Sequence, residues 1–134
     1  MSQSCVTINQ EWDIVAARHM GREKSKELNI GTVDQARIAT AISELARNIY
    51  LYTESGTICF EAIEDPHHYK KGLKIIAKDE GPGIKDISKV MEDGFSTSGG
   101  LGAGLPGVKR LMDSFDIISE EGKGTEVIAV KWSR

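Results

Sequence analysis

Glu44 and Asn48 stand four residues apart in the run Glu44-Leu45-Ala46-Arg47-Asn48. On a helix that spacing puts the two side chains about 40° apart, on one flank. If Leu45 centres the apolar stripe, this flank lies at the boundary of core and solvent. A carboxylate and an amide placed there can hold a hydrated Mg²⁺ or orient a hydroxyl. A solvated helix edge has the same composition. The second group is Asp79-Glu80-Gly81-Pro82-Gly83. In a strand, Leu73, Ile75, Ala77 and Asp79 share one face while Lys74 and Lys78 share the other, so Asp79 points to the core side. A carboxylate there needs a donor. The exocyclic amino group of a purine is one; the backbone of the following turn, which Asp residues often cap, is another. Gly81 and Gly83 let the chain turn sharply. The third group runs from Gly94 to Leu105, with five glycines in twelve residues. Backbone N–H groups without side-chain bulk, leading into a helix N-terminus, suit phosphate oxygens. A loop without a ligand is the plain alternative. The pattern is neither a Walker A loop nor a dinucleotide fingerprint.

The elements that must position these groups follow from the apolar pattern. Residues 4–9 alternate as a strand. Residues 11–28 form a helix in which Gly21 is a tolerated weak point. Thr32 and Gln35 fit a capping box that opens a helix to about Tyr52. Its buried stripe is Ile38, Ile42, Leu45, Ile49 and Tyr52. Residues 57–64 and 73–79 are strands, joined by a surface hairpin loop at 65–72. A short helix is expected at 86–93. A further helix spans 105–113, with Pro106 in its first turn. Residues 115–119 and 125–132 close the chain as a hairpin. The order β α α β β α α β β is not the alternation of a doubly wound fold. It implies an α/β (α+β) two-layer sandwich, a mixed, mostly antiparallel sheet with helices on one face.

The 134 residues amount to one domain, 1–134, large enough to bury a core without a staple. The net charge of −3 argues against a nucleic-acid partner held by a basic face. No apolar run reaches the ~18 residues of a membrane span, and the N-terminus lacks the features of a signal peptide. A cytoplasmic setting is therefore expected, with Cys5 and Cys59 as separate, reduced, buried thiols. Fourteen glycines are about a tenth of the chain, against a usual ~7%. Eight of them fall between Gly81 and Gly107, so the excess is local to the second and third groups. His67 and His68 belong to the polar hairpin loop and should face solvent.

The three groups are more specific together than singly. ExxxN on a long helix, DxGxG at a strand end, GxGxG before a helix and Gly124-Thr125 opening a strand occur in that order. This arrangement resembles the Bergerat-fold (GHKL) ATPase/kinase superfamily of gyrase, Hsp90, MutL and histidine-kinase catalytic domains, over almost the whole chain. The runs ISELARNIYLY, DEGPGI, MEDGFSTSGGLGAGLPGVKRLMD and GTEV are similar to its anti-sigma/serine-kinase branch.

The resemblance implies roles for individual residues. Glu44 would be the general base for a substrate hydroxyl. Asn48 would ligate the Mg²⁺ that bridges the triphosphate of ATP. Asp79 would accept from the adenine amino group with Thr125 in support, and Gly81 and Gly83 would give the base room. Gly99, Gly102 and Gly104 would wrap the phosphates, with Ser96, Thr97, Ala103 and Leu105 in the same binding set. The segment from Phe95 to Gly104 is shorter than in anti-sigma members and holds no Lys or Arg. Arg37, on the Glu44 flank, is a candidate cation for the γ-phosphate. The implied activity is a protein serine/threonine kinase. Its substrates would be STAS-domain proteins of a stress-sensing assembly, the stressosome, and its released form would activate a downstream PP2C-type phosphatase. The alternative is an anti-sigma factor that sequesters a sigma subunit in an ATP-dependent way, with Arg18 at a contact position. A histidine-kinase fragment fits poorly, because Met20 rather than an acid follows His19.

Overall fold

The computed structural model describes residues 3–84, 91 and 104–134. The elements in order are β1 (Gln3–Ile8), α1 (Trp12–Glu27), α2 (Thr32–Tyr52), β2 (Gly56–Asp65), β3 (Lys70–Asp79), α3 (Gly104–Leu111), β4 (Ser114–Glu120) and β5 (Gly124–Trp132). The short helix expected at 86–93 lies outside the described residues, Met91 excepted.

The five strands form one sheet in the order β1-β2-β3-β5-β4. All four pairings are antiparallel. The parallel component expected of a mixed sheet is therefore absent among the described residues, for a topological reason. β3 and β4 run in the same sense, but β5 inserts between them and is antiparallel to both. The helical hairpin α1–α2 likewise returns the chain so that β2 runs against β1.

The three helices cover one face. Ile38, Ile42, Leu45 and Ile49 of α2 are buried as the 3.6-residue period requires, against Ile58, Phe60, Leu73, Ile75, Val127 and Ala129 from the inner face of the sheet. Tyr52, the last residue of the expected stripe, is not in it: it is 47% exposed. Gly21 is a close-packing position and not a weak point. A Cβ there would lie 2.0 Å from Ile42 Cδ1 and 3.1 Å from Phe60, so the glycine sets how near α1 comes to α2 and the sheet.

The start of α2 differs from the capping box. Gly31 is the N-cap, in extended conformation, and no side chain caps the helix. Gln35 does reach back, but its Nε2 donates to the Ile30 carbonyl at 2.7 Å. The strand pattern also sends one charge inward. Lys131 continues the inner face after Val127 and Ala129 and is buried. Its Nζ donates to the Leu111 carbonyl at 2.8 Å and lies 3.5 Å from Asp34 and 3.6 Å from Asp113. It thereby ties β5 to α2 and to the end of α3.

The cysteines are neither separate nor buried. Cys5 and Cys59 are cross-strand neighbours on the outer face of the sheet, joined in a disulfide with a Cα–Cα distance of 4.0 Å. Cys5 is exposed. A separation of 54 residues conceals the pairing until the β1–β2 register is known. His67 and His68 face solvent as expected. No described helix is long and apolar enough to cross a membrane.

Candidate nucleotide site

A cleft of about 270 Å³ opens between α2, the end of β3, the start of β5 and the start of α3. Its walls are mostly apolar. Leu45 and Ile49 come from α2, Ala77 from β3, Val127 from β5 and Leu105 from α3. These are inward positions of the same periodicities that build the core. The cleft is thus the place where the helix layer parts from the sheet, not an added feature. A few polar groups converge on it: Asn48, Thr53, Asp79 and Thr125. Apolar walls with a small polar set are the usual make-up of a small-molecule pocket.

Sheet register brings Asp79 and Thr125 together, since they are paired residues of β3 and β5. Asp79 Oδ1 accepts the Gly81 N–H at 2.9 Å. Capping the turn and facing a ligand are therefore compatible, because the carboxylate has a second oxygen. The approach of β5 to this point depends on Gly124. At φ +105° its Cβ would sit 2.2 Å from the Asp79 carbonyl oxygen, so no other residue fits without displacing the strand end.

The two turn glycines have different tasks. Gly83 lines the cleft at φ +77°, and a Cβ there would meet the Glu120 carbonyl oxygen at 2.3 Å. It lets the loop after β3 lie against the β4–β5 turn, where Gly122 N–H also donates to the Pro82 carbonyl at 2.7 Å. Gly81 does not line this cleft. It belongs to a neighbouring groove with Leu51 to Ser55, and a Cβ there would fall 2.6 Å from Thr53 Cγ2. The room it makes is for the end of α2.

Gly104 (φ +64°) and Leu105 line the opposite edge, so the start of α3 abuts the cleft. Its N–H groups and dipole favour an anion there. Ser96, Thr97, Gly99, Gly102 and Ala103 lie outside the described residues. Asn48 faces the cleft from α2, and Glu44 stands one turn before it, outside the lining. Glu44 is 5% exposed, and its Oε2 has no hydrogen-bond partner among the described residues. A buried, unpaired oxygen costs about 1–3 kcal/mol, so a donor that arrives with a ligand would relieve it.

Arg37 is placed differently from its expected role. Its Nη1 donates to Asp34 Oδ1 at 2.8 Å, and it borders a shallow groove of Thr32, Val33, Ala36, Thr40 and Leu111. Burial raises the pKa of Asp34, but the Arg37 hydrogen bond and the charges of Lys131 and Arg134 outweigh it and hold the carboxyl below its ordinary value.

The residues that sequence reasoning passed over are Tyr52, Thr53 and Ile84 in the lining, and Ser119; Gly124 was seen only as part of a motif, without its contact to β3. Ser119 was findable: Phe115, Ile117 and Ser119 alternate inward on β4. Its hydroxyl accepts the Ile84 N–H at 2.7 Å and lies 2.8 Å from Thr125 Oγ1.

Known proteins share this arrangement. Residues 33–133 match the family described as histidine kinase-, DNA gyrase B- and HSP90-like ATPase. The chain is 70% identical over 132 residues to the serine/threonine-protein kinase RsbT of Bacillus subtilis, covering 98% of each chain. It is 36% identical over 102 residues to an anti-sigma F factor of Clostridium acetobutylicum, covering 70% of this chain and 67% of that one. In three dimensions it is similar to the RsbU and RsbW domains of Rv1364c from Mycobacterium tuberculosis, with a TM-score of 0.64 at 17% identity. That match covers all of this chain but 33% of the other. A mycobacterial sensor histidine kinase, MprB, gives a TM-score of 0.58 at 17% identity. The enzyme type expected from the sequence, a protein serine/threonine kinase, is that of the relative 70% identical to it. The cleft, the match over three quarters of the chain and the long relative agree: the chain belongs to the histidine kinase-, DNA gyrase B- and HSP90-like ATPase family.

Proposed function

We propose that the protein is an ATP-dependent serine/threonine kinase acting in the cytoplasm on STAS-domain proteins of a stress-sensing assembly, and that its released form activates a downstream PP2C-type phosphatase. The observation that carries the reading is the buried Oε2 of Glu44, without a hydrogen-bond partner among the described residues, one helical turn from Asn48 at the cleft. A serine or threonine hydroxyl that reaches this oxygen gives up its proton there as it attacks the γ-phosphorus of ATP. The bond to the β–γ bridging oxygen breaks and ADP leaves. Adenine would lie toward Asp79 and Thr125, and the phosphates toward Asn48 and the start of α3.

The residues fit Mg²⁺. No group of three or more His, Cys, Asp or Glu among the described residues could hold a metal alone. That suits an ion that keeps waters and takes its ligands from phosphates and one or two protein oxygens. The Asn48 amide oxygen is the candidate protein ligand. When bound, Mg²⁺ would offset charge on the triphosphate.

The name of the 70% identical relative supports the serine/threonine kinase activity, and the STAS substrate and the phosphatase rest on the family resemblance. The anti-sigma reading has support from relatives of lower identity, and Arg18 is exposed on α1. Phosphorylation of a docked partner adds nearly two negative charges, which can break the interface by repulsion. Incubation with labelled ATP and folded STAS proteins, followed by mass spectrometry, tests the reading. Transfer to a serine or threonine of a folded STAS domain is expected. Absence of transfer, with capture of a sigma subunit, would replace it with the anti-sigma function.

A further inference from the structure

Ser119, Thr125 and Asp79 form one row across β4, β5 and β3, as successive cross-strand partners. From this row we infer that Ser119 is a positioning residue that fixes the Thr125 hydroxyl as an acceptor toward the cleft, and so selects a 6-amino purine over a 6-oxo purine. The inference rests on the nucleotide-site reading above and adds the base selection and the residue that sets it.

Ser119 Oγ makes three polar contacts: Ile84 N at 2.7 Å, the Gly124 carbonyl oxygen at 3.1 Å and Thr125 Oγ1 at 2.8 Å. A serine hydroxyl has one proton and two lone pairs. The Ile84 N–H can only donate, and the Gly124 carbonyl can only accept. One assignment satisfies all three contacts. Ser119 donates to Gly124, and its lone pairs receive the Ile84 N–H and the Thr125 O–H. The Thr125 proton is then spent away from the cleft, and its lone pairs remain on the side that lines it.

Asp79 stands beside it as a carboxylate, with acceptors only. The Asp79–Thr125 edge of the cleft thus offers acceptors and no side-chain proton. A 6-amino group donates and matches. The choice is made at position 6 of the base, because ring N1 has the reverse polarity, accepting in adenine and carrying hydrogen in hypoxanthine. A 6-oxo group set against Asp79 and Thr125 brings an acceptor against acceptors. Ser119 makes no claim on the base itself. It acts by consuming the one proton that would blur the choice.

The test is calorimetric titration of ADP and inosine diphosphate, neither of which can donate a γ-phosphoryl group. Wild type should favour ADP. In Ser119→Ala the Thr125 proton is free to turn inward, and the ADP preference should fall by about tenfold. Ser119→Thr keeps the hydroxyl and should restore it. In Thr125→Val the share of the preference that Thr125 supplies is lost directly, leaving that of Asp79, and adding Ser119→Ala should not lower it further. Should Ser119→Ala fail to fold, Ser119→Cys retains the volume with a weak hydrogen-bonding group, and the same fall is expected. Equal weakening of both nucleotides, with the ratio unchanged, would mark Ser119 as a structural tie only and overturn the inference. An additional fall in the double variant would also overturn it, because Ser119 would then act by another route. Wild type binding neither nucleotide would overturn the nucleotide-site reading itself, and the inference with it.

Discussion

Two carboxylates of α2, Asp34 and Glu44, are buried on the same helix and have opposite surroundings. Asp34 lies 2.8 Å from Arg37, 3.5 Å from Lys131 and 3.6 Å from Arg134. Glu44 is equally withdrawn from water, yet its Oε2 has no partner among the described residues. Buried carboxylates are expensive unless paired, and native folds rarely leave a buried oxygen unsatisfied. The fold meets that demand at Asp34 with cations from β5 and the chain end. It leaves the demand open at Glu44, one turn from the cleft. Asp34 holds elements together; Glu44 Oε2 keeps an unmet hydrogen bond among the described residues, which the proposed function uses.

The largest effect should come from Glu44. Glu44→Gln preserves shape and removes the basic oxygen, so phosphoryl transfer should fall by about 10²–10⁴-fold. ATP affinity should hold, and the melting temperature should stay near wild type, since Oε2 has no hydrogen bond to lose among the described residues. A fully active Glu44→Gln enzyme would mean that positioning and charge alone carry the reaction. The counterpart is Lys131→Met, which keeps the alkyl packing and strips a cation from Asp34 and Asp113. Arg37 and Arg134 remain, so destabilisation should be about 3 kcal/mol. Transfer by the folded fraction should be near wild type. Denaturant unfolding and single-turnover assays separate the two outcomes. If both variants lose stability alike, the contrast between the two carboxylates is wrong.

Asp79 comes next in size and joins the two behaviours, with one oxygen spent on Gly81 N–H and the residue itself lining the cleft. Asp79→Asn puts a donor where an acceptor is needed. A loss of about 1–3 kcal/mol, or ~5- to 150-fold in ATP affinity, should follow. Unchanged affinity by calorimetry would remove the adenine role of Asp79.

Local pattern revealed the elements well because each rests on a period that neighbours cannot disguise. Ile38, Ile42, Leu45 and Ile49 mark the inner face of α2, and Leu73, Ile75 and Ala77 lead in step to Asp79. What depends on register or close approach was hidden. The Cys5–Cys59 pair needs the alignment of β1 with β2. The different tasks of Gly81 and Gly83 need the positions of Thr53 and Glu120. Tyr52 obeys the helical period but falls where the helix overruns the core, so it lines the cleft. Arg37 shares a flank with Glu44, but Asp34 three residues earlier captures it. Sequence spacing says which side chains can face the same way; it does not say which partner is nearer.

The smallest effect is a pH dependence, and its size distinguishes a buried, paired carboxylate from one at a solvent-facing turn. Burial acts to raise the Asp34 pKa, but the Arg37 hydrogen bond and the Lys131 and Arg134 charges lower it below the ordinary 3.8. The folded protein therefore binds this proton less readily than the unfolded chain. The stabilisation is fully present above the unfolded value, and it is lost as the pH falls through the lower folded value. Asp65 shifts in the same direction, chiefly through its hydrogen bond with His68, but it lies at a solvent-facing turn where water screens the interaction. Stability measured by denaturant from neutral pH down to about pH 3 should decline on the acid side, since that approaches both carboxyl values. Asp34→Asn should lower stability at neutral pH and flatten that decline, because the group that gains a proton on unfolding is gone. Asp65→Asn should leave most of the slope in place. If the slope is the same with and without Asp34, its three cations only screen it at the surface, and the buried ion pair does not hold α2 to β5.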